Sequence, residues 1–106
     1  MPKYLYQGSY TVDGVKGLLS DGGSKRRQVV GDLIADMGGT LEAFYYAFGE
    51  NDFYLILDMP DSASGTAVAL AVAASGAVSG NITVLITPEE VDEATRKTVN
   101  YRPPGQ

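Results

Sequence analysis

The side chains available for acid–base chemistry in this chain are carboxylates, lysines and tyrosines, because it contains no histidine and no cysteine. That composition excludes Ser–His and Cys–His catalytic arrangements, disulfides, zinc fingers and haem ligation through histidine. Asp58 is the most distinctive carboxylate, since it lies in an otherwise apolar segment, residues 53–59. Burial there would raise its pKa and make it a candidate general base. The alternative is that Asp58 ends a strand, where it is solvated or bonded to a turn.

Most of the tyrosines fall in segments with strand-like sequence, namely Tyr4, Tyr6, Tyr10, Tyr45, Tyr46 and Tyr54. A phenol combines an apolar ring with a hydroxyl group, so these residues either line a pocket for an aromatic ligand or pack in a core or interface. We take Tyr6, Tyr46, Tyr54 and Asp58 as candidate lining residues of one ligand site.

A glycine-rich segment at residues 22–24 precedes three consecutive cations, Lys25, Arg26 and Arg27. Backbone N–H groups at the start of a helix, together with Arg26 or Arg27, could hold a carboxylate or a phosphate. The alternative is a solvated basic turn that pairs with acidic neighbours. The acidic residues at 61 and 89–93 are favourable charges at helix N-termini, so we predict no metal site and no cofactor.

Length and charge narrow the class of protein further. The chain has 106 residues and a net charge of −5, and its pI is near 4.4. A net anion is a poor binder of nucleic acid, since phosphate contacts need an excess of lysine and arginine. Its longest apolar stretch, residues 67–74, is far shorter than the roughly 20 residues that span a bilayer, and no secretory signal is visible. We therefore expect one cytoplasmic domain over residues 1–106 that binds neither nucleic acid nor membrane.

The elements that would position these residues follow the order β-α-β-β-α-β, with a further helix at the C-terminus. Strand-like segments lie at 3–11, 40–48, 53–59 and 81–87. Asp13 is a candidate N-cap for a helical segment through residue 19, Ser24 for a second through residue 37, and Asp61 for a helix over 62–75. Thr87, Pro88 and Glu90 form a capping box with proline at the first position of the last helix. This order predicts an α+β, ferredoxin-like βαββαβ sandwich with a C-terminal helix.

Both faces of the predicted sheet carry large apolar side chains. In the third strand Phe53, Leu55 and Leu57 alternate with Tyr54 and Ile56. Alternation in the second strand assigns Leu41, Ala43 and Tyr45 to one face and Phe44 and Tyr46 to the other. Two helices cover one face only, and each exposed large side chain forgoes roughly 1.5–3 kcal/mol of burial. We therefore predict a homodimer or higher oligomer with a cavity between paired sheets. The alternative is that the C-terminal helix covers the open face.

The last residues, 101–106, contain Tyr101 and two prolines, which suits an extended segment. We predict that this tail docks on a neighbouring subunit.

Four stretches of the sequence resemble a known family over almost the whole chain: KYLYQGSYT, VKGLLSDGGSKRR, MGGTLEAFYYAFGENDFYLILDMPD and LITPEEVD. They are similar to the GYD domain family of small, mainly bacterial proteins. The family's Gly-x-Tyr-Asp-like turn reads Gly49-Glu50-Asn51-Asp52 here, with Asn51 at the tyrosine position and Gly49 and Asp52 kept as hairpin residues. The resemblance implies a ferredoxin-like fold of the dimeric α/β-barrel type and no established activity.

Three functional hypotheses follow. The first is an oligomeric module that binds a small ligand or a protein partner without catalysis. The second is a cofactor-independent enzyme that acts on a small aromatic or acidic metabolite in an inter-subunit cavity, with Asp58 as base, a tyrosine as hydrogen-bond donor and Arg26 or Arg27 holding the anion. The third is a structural or assembly subunit with no ligand.

Overall fold

A computed structural model describes residues 2–106 and contains one four-stranded sheet and four helices. The strands are β1 (Lys3–Tyr10), β2 (Thr40–Tyr46), β3 (Phe53–Asp58) and β4 (Val78–Leu85), and the helices are α1 (Val12–Asp21), α2 (Gly23–Asp36), α3 (Ser62–Ala74) and α4 (Pro88–Thr95). The sheet is antiparallel throughout, in the order β2-β3-β1-β4. The fold is therefore α+β and compatible with a ferredoxin-like sandwich, as the order of elements predicts.

Two of the predicted helix starts are wrong. The N-cap of α1 is Thr11, whose hydroxyl accepts a hydrogen bond from the backbone N–H of Gly14 at 3.2 Å, so Asp13 lies inside the helix. The N-cap of α2 is Gly22, with φ 82°, which occupies the left-handed region that favours glycine, and Ser24 lies in the first turn. The capping box of α4 and the Asp61 cap of α3 are confirmed.

The predicted face of Leu41 is also wrong. Leu41 lies opposite Leu57, and two residues later Ala43 lies opposite Ile56. The ladder thus contains a β-bulge at Glu42, which turns Leu41 to the same face as Phe44. The fourth strand differs as well: it runs over Val78–Leu85 rather than 81–87, because Val78, Ser79 and Gly80 extend the pairing with β1.

The core lies between the sheet and the helices α2 and α3. Six hydrophobic residues of the described chain are buried there: Tyr4, Ile34, Phe53, Leu55, Leu57 and Met59. Five of them belong to β1, β3 or the residue after β3. Helix α2 contributes Ile34. Helix α3 lies close to the sheet at Gly65, where a Cβ would already be in van der Waals contact with the Tyr4 ring, at 3.5 Å. The face formed by Phe53, Leu55 and Leu57 is therefore the helix-covered face of the sheet.

No helix within residues 2–106 covers the opposite face of the sheet. It carries Leu5, Tyr45, Tyr54 and Ile56, and Tyr45 is 71% exposed. The alternative that the C-terminal helix folds back over this open face is wrong, because every residue from 88 to 106 is exposed. The open face of the protomer is thus available to another molecule.

The chain has more surface than a compact protein of its mass. It exposes 7359 Å², against about 5,700 Å² for a typical folded monomer of this size. Its radius of gyration is 17.1 Å, against about 13 Å for a compact chain of similar length. Its longest principal axis measures 58 Å. No helix of the described residues is both long and apolar enough to cross a membrane.

Candidate ligand-binding cleft

An apolar cleft of about 120 Å³ lies between the helix-covered face of the sheet and the helices α2 and α3. Its lining consists of aliphatic and aromatic side chains together with two tyrosines and one arginine: Tyr6, Tyr10, Arg26, Val29, Val30, Leu33, Ile34, Phe44, Phe53, Leu55, Leu57, Val68, Val72 and Val78. No carboxylate is present in this lining. Concave, largely apolar sites with a few polar groups are typical of small-molecule binding.

The sequences of the two helices explain why a space remains above the sheet. The apolar stripe of α2 directs Val30 and Ile34 to the sheet, and Ile34 is 1% exposed. In contrast, α3 is rich in alanine, and the residues it presents to the cleft are Val68 and Val72, one helical turn apart. Short side chains on α3 therefore fail to fill the gap between that helix and α2.

Aromatic rings form the floor of the cleft. The ring of Phe53, a residue only 3% exposed, stacks on Tyr6 with centroids 5.7 Å apart and an angle of 6° between the planes. The Tyr10 ring lies 5.3 Å from the Phe53 ring at a tilt of 59°. Because all three residues lie on adjacent strands β1 and β3, the sheet holds their rings in fixed positions.

Hydroxyl groups supply part of the cleft's polarity. Burial raises the pKa of Tyr6. Burial also raises the pKa of Tyr10 well above its usual range, the neighbouring Tyr46 adds to that rise, and Arg26 opposes it. Both phenols are therefore neutral at physiological pH and act as hydrogen-bond donors rather than as bases.

Arg26 supplies the single charge in the lining. It lies in the first turn of α2, and its Nη1 forms an ion pair with Asp21 Oδ2 at 3.8 Å. Lys25 pairs with the same carboxylate at 3.8 Å, which is the pairing with an acidic neighbour that the alternative predicts. The start of α2 is tied to the sheet by the Tyr46 hydroxyl, which donates a hydrogen bond to the Gly23 carbonyl at 3.2 Å. That bond fixes the position of Arg26 relative to the tyrosines.

The turn at residues 49–52 anchors the end of β1 that carries Tyr10. The Tyr10 N–H donates to Asp52 Oδ2 at 2.9 Å, and the Asp52 N–H donates to the Gly8 carbonyl at 2.7 Å. Asp52 thus joins the hairpin to β1 next to Tyr10. The Asn51 side-chain amide donates to the Tyr54 hydroxyl at 3.4 Å.

Asp58 and Tyr54 lie on the open face, away from the cleft. Lys3 Nζ donates to Asp58 at 3.0 and 3.1 Å and to Glu42 Oε2 at 2.6 Å. These hydrogen bonds raise the pKa of Lys3, with Glu42 the larger cause and Asp58 the next. Asp58 is thus an ion-paired carboxylate at the end of β3.

The structure divides the predicted ligand-binding residues among three places. Tyr6 and Arg26 line the cleft, and Tyr46 adjoins it through Gly23 and Tyr10. Tyr54 and Asp58 lie on the other face of the sheet, so the four residues predicted as one lining do not surround one cavity of a protomer. Arg27 lies on the outer side of α2, in a groove beside the edge of β2.

Sequence reasoning missed Tyr10 and Phe53 as members of the site. The signal for Tyr10 was available, since it has the same even spacing as Tyr4 and Tyr6 and therefore shares their face. The contribution of Phe53 depends on the register of β3 against β1, which pairs it with Gly8 and leaves room for the flanking rings. Local sequence does not specify that register.

The comparison with protein families identifies the chain. The family model for the GYD domain matches residues 4–95, which include all four helices and all of the sheet except Lys3. The chain therefore belongs to the GYD domain family. No curated protein and no solved structure matches it significantly.

Proposed function

We propose that this GYD domain protein is a homodimeric module that binds a small, largely apolar ligand in the cleft of each subunit. The observation that carries the proposal is the cleft itself, an apolar cavity with two neutral phenols and one guanidinium as its polar groups. Fixed aromatic walls with few polar groups favour binding of a small molecule.

The chemistry of the cleft favours binding over acid–base catalysis. Its lining contains no carboxylate, and the chain has no histidine or cysteine. The tyrosines stay protonated because burial raises their pKa. A ligand in the cleft therefore meets hydrogen-bond donors and a cation but no base near neutral pH.

The second candidate function places the ligand between two sheets, where Asp58 and Tyr54 would face it. This enzyme hypothesis is favoured by one observation, namely that both side chains share the open face. The ion pair of Asp58 with Lys3 opposes it, since both carboxylate oxygens already accept hydrogen bonds from the Lys3 ammonium group. The cleft is therefore the first site to test.

Dimerisation through the open face is supported by the large side chains that this face leaves uncovered, since Tyr45 is 71% and Tyr54 36% exposed. A stable interface buries about 800 Å² per partner. A second copy supplies the same face, so two-fold packing would cover Leu5, Tyr54 and Ile56 in both subunits. This arrangement is the dimeric barrel that the family resemblance implies.

Methyl NMR spectra recorded during titration with benzyl alcohol, a neutral single-ring probe, test the binding site. We expect saturable shifts at the cleft residues Val30, Leu33 and Val72 and none at Ile56. The variant Val72→Phe fills the cleft and abolishes the shifts, whereas Leu70→Phe, on the exposed side of the same helix, keeps them. Shifts confined to the open face would support the inter-subunit site instead, and no saturable shift would support the structural hypothesis.

Sedimentation equilibrium tests the dimer. The variant Ile56→Lys puts a charge on the open face and should yield a folded monomer, while Leu70→Lys should sediment as the wild type does. A wild-type chain that stays monomeric at micromolar concentration would refute dimerisation but would leave the cleft proposal standing.

A further inference from the structure

The aromatic side chains that line the cleft suit a ligand with a flat ring. Phe53 and Tyr6 are nearly parallel, with 6° between their planes, and Tyr10 and Phe44 extend the aromatic lining. Aromatic side chains prefer offset stacking or edge-to-face contact with another ring at 4.5–7 Å between centroids. An aromatic ligand can satisfy both geometries here, whereas a branched aliphatic ligand satisfies neither.

The volume of the cleft limits the ligand to one ring. An engineered apolar cavity of about 150 Å³ binds benzene, and this cleft measures about 120 Å³. A fused two-ring system exceeds that space. A single ring fills it and leaves its substituent at the polar groups.

The charge at the cleft favours an anionic substituent. Arg26 forms an ion pair with Asp21 at 3.8 Å, a distance too long for a hydrogen bond, so a ligand carboxylate at closer range would compete with Asp21 for the guanidinium group. The first turn of α2 contains Lys25 and Arg26 and no acidic residue, and Asp21, just before the N-cap, pairs with both cations at 3.8 Å. A carboxylate at this point would receive two parallel hydrogen bonds from the guanidinium fork.

We propose that the ligand of the cleft is a monocyclic aromatic acid, whose ring lies against Phe53, Tyr6 and Tyr10 and whose carboxylate is bound by Arg26. This inference rests on the proposed function, because it names the ligand class of the same cleft. Arg26 is the specificity-determining residue, and the tyrosine hydroxyls donate to the same carboxylate or to a ring substituent.

Isothermal titration calorimetry with benzoate and benzamide separates this inference from the proposed function. The two probes have the same ring and nearly the same shape, but only benzoate is an anion at neutral pH. We expect the wild type to bind benzoate roughly tenfold to hundredfold more tightly than benzamide, as hydrogen bonds to a charged group predict. Equal affinities would overturn the aromatic-acid assignment and leave the cleft as a binding site. Binding of neither probe would refute both proposals.

Variants at adjacent positions assign the selectivity to one side chain. Arg26→Met should remove the preference for benzoate while it leaves benzamide affinity unchanged, and Arg26→Lys should retain part of the preference through charge alone. Arg27→Met is the matched control, because Arg27 lies outside the cleft, and it should behave as the wild type does. A benzoate preference that survives Arg26→Met would refute the role of Arg26.

Discussion

At position 14, α1 passes so close to the segment before β4 that only glycine fits. A Cβ on Gly14 would overlap the Ala77 carbonyl oxygen, whereas a Cβ on Gly17 of the same helix would meet no atom within 4 Å. Gly14→Ala should therefore unfold the domain or destabilise it by several kcal/mol, since backbone must shift. Gly17→Ala should stabilise it by up to about 1 kcal/mol through helix propensity.

Urea denaturation of both variants measures these effects. Because the two substitutions are chemically identical, helix propensity is matched and only the steric environment differs. A Gly14→Ala variant as stable as Gly17→Ala would show that α1 does not pack against Ala77 in this way.

Tyr10 should make the free energy of unfolding decrease at alkaline pH. Its pKa is raised in the folded protein, so the stabilisation is fully present below the unfolded tyrosine pKa of about 10. It is lost as the pH rises above that value, because the unfolded chain ionises while the folded chain resists ionisation.

Tyr10→Phe should therefore show a smaller decline in the free energy of unfolding between neutral pH and alkaline pH than the wild type. Tyr101→Phe, at a site that is 72% exposed, is the control and should decline as the wild type does. Chemical denaturation at a series of pH values measures the difference. Equal declines in the wild type and Tyr10→Phe would contradict the burial of this phenol.

The residues of β1 and β2 show how far sequence alone predicts the site. Alternation along β1 correctly groups Tyr4 and Tyr6 on one face, because a regular strand has a period of two. The same rule fails for Leu41, because the bulge at Glu42 adds one residue to β2. A bulge has no strong local signal, so the composition of the cleft wall depends on a tertiary feature.

Among the helices, α1 begins at an N-cap residue that also bonds to the segment before β4. The Thr11 hydroxyl accepts a hydrogen bond from the Gly14 N–H and also donates to the Gly76 carbonyl at 2.8 Å. Thr11→Val keeps the shape of the side chain but loses both bonds, and we expect a loss of about 1–2 kcal/mol in unfolding free energy.

Thr11→Ser provides the comparison, since serine retains the hydroxyl. Thermal denaturation should show a lower midpoint for Thr11→Val and only a small change for Thr11→Ser. A Thr11→Val variant that melts at the same temperature as the wild type would show that the hydroxyl cap does not stabilise the fold.

The helix starts differ in how well sequence predicts them. Thr87, Pro88 and Glu90 form a complete local motif, and α4 begins where that motif predicts. At α1 and α2, by contrast, several residues could serve as caps, and the choice follows from where the preceding strand ends or where a glycine adopts positive φ. A helix start can be predicted where the local sequence contains a complete capping motif. It cannot be predicted from local sequence where the cap depends on neighbouring elements.

On the scale of the whole molecule, the exposed C-terminal segment contributes surface but no core. Every residue from 88 to 106 is exposed, and Val99 and Tyr101 are 77% and 72% exposed. An extended, partly apolar segment of this kind gains stability when a second subunit covers it. We therefore expect the tail to contribute to the proposed dimer and not to the stability of the isolated protomer.

Deletion of residues 101–106 tests this expectation. The truncated chain should retain the far-UV circular dichroism of the full chain and should dissociate into monomers at higher protein concentrations in analytical ultracentrifugation. Tyr101→Ala should weaken the dimer in the same direction, since the tyrosine ring is the largest apolar group of the tail, and Gln106→Ala is the control. A truncated chain that dimerises as strongly as the full chain would show that the open face of the sheet alone holds the two subunits together.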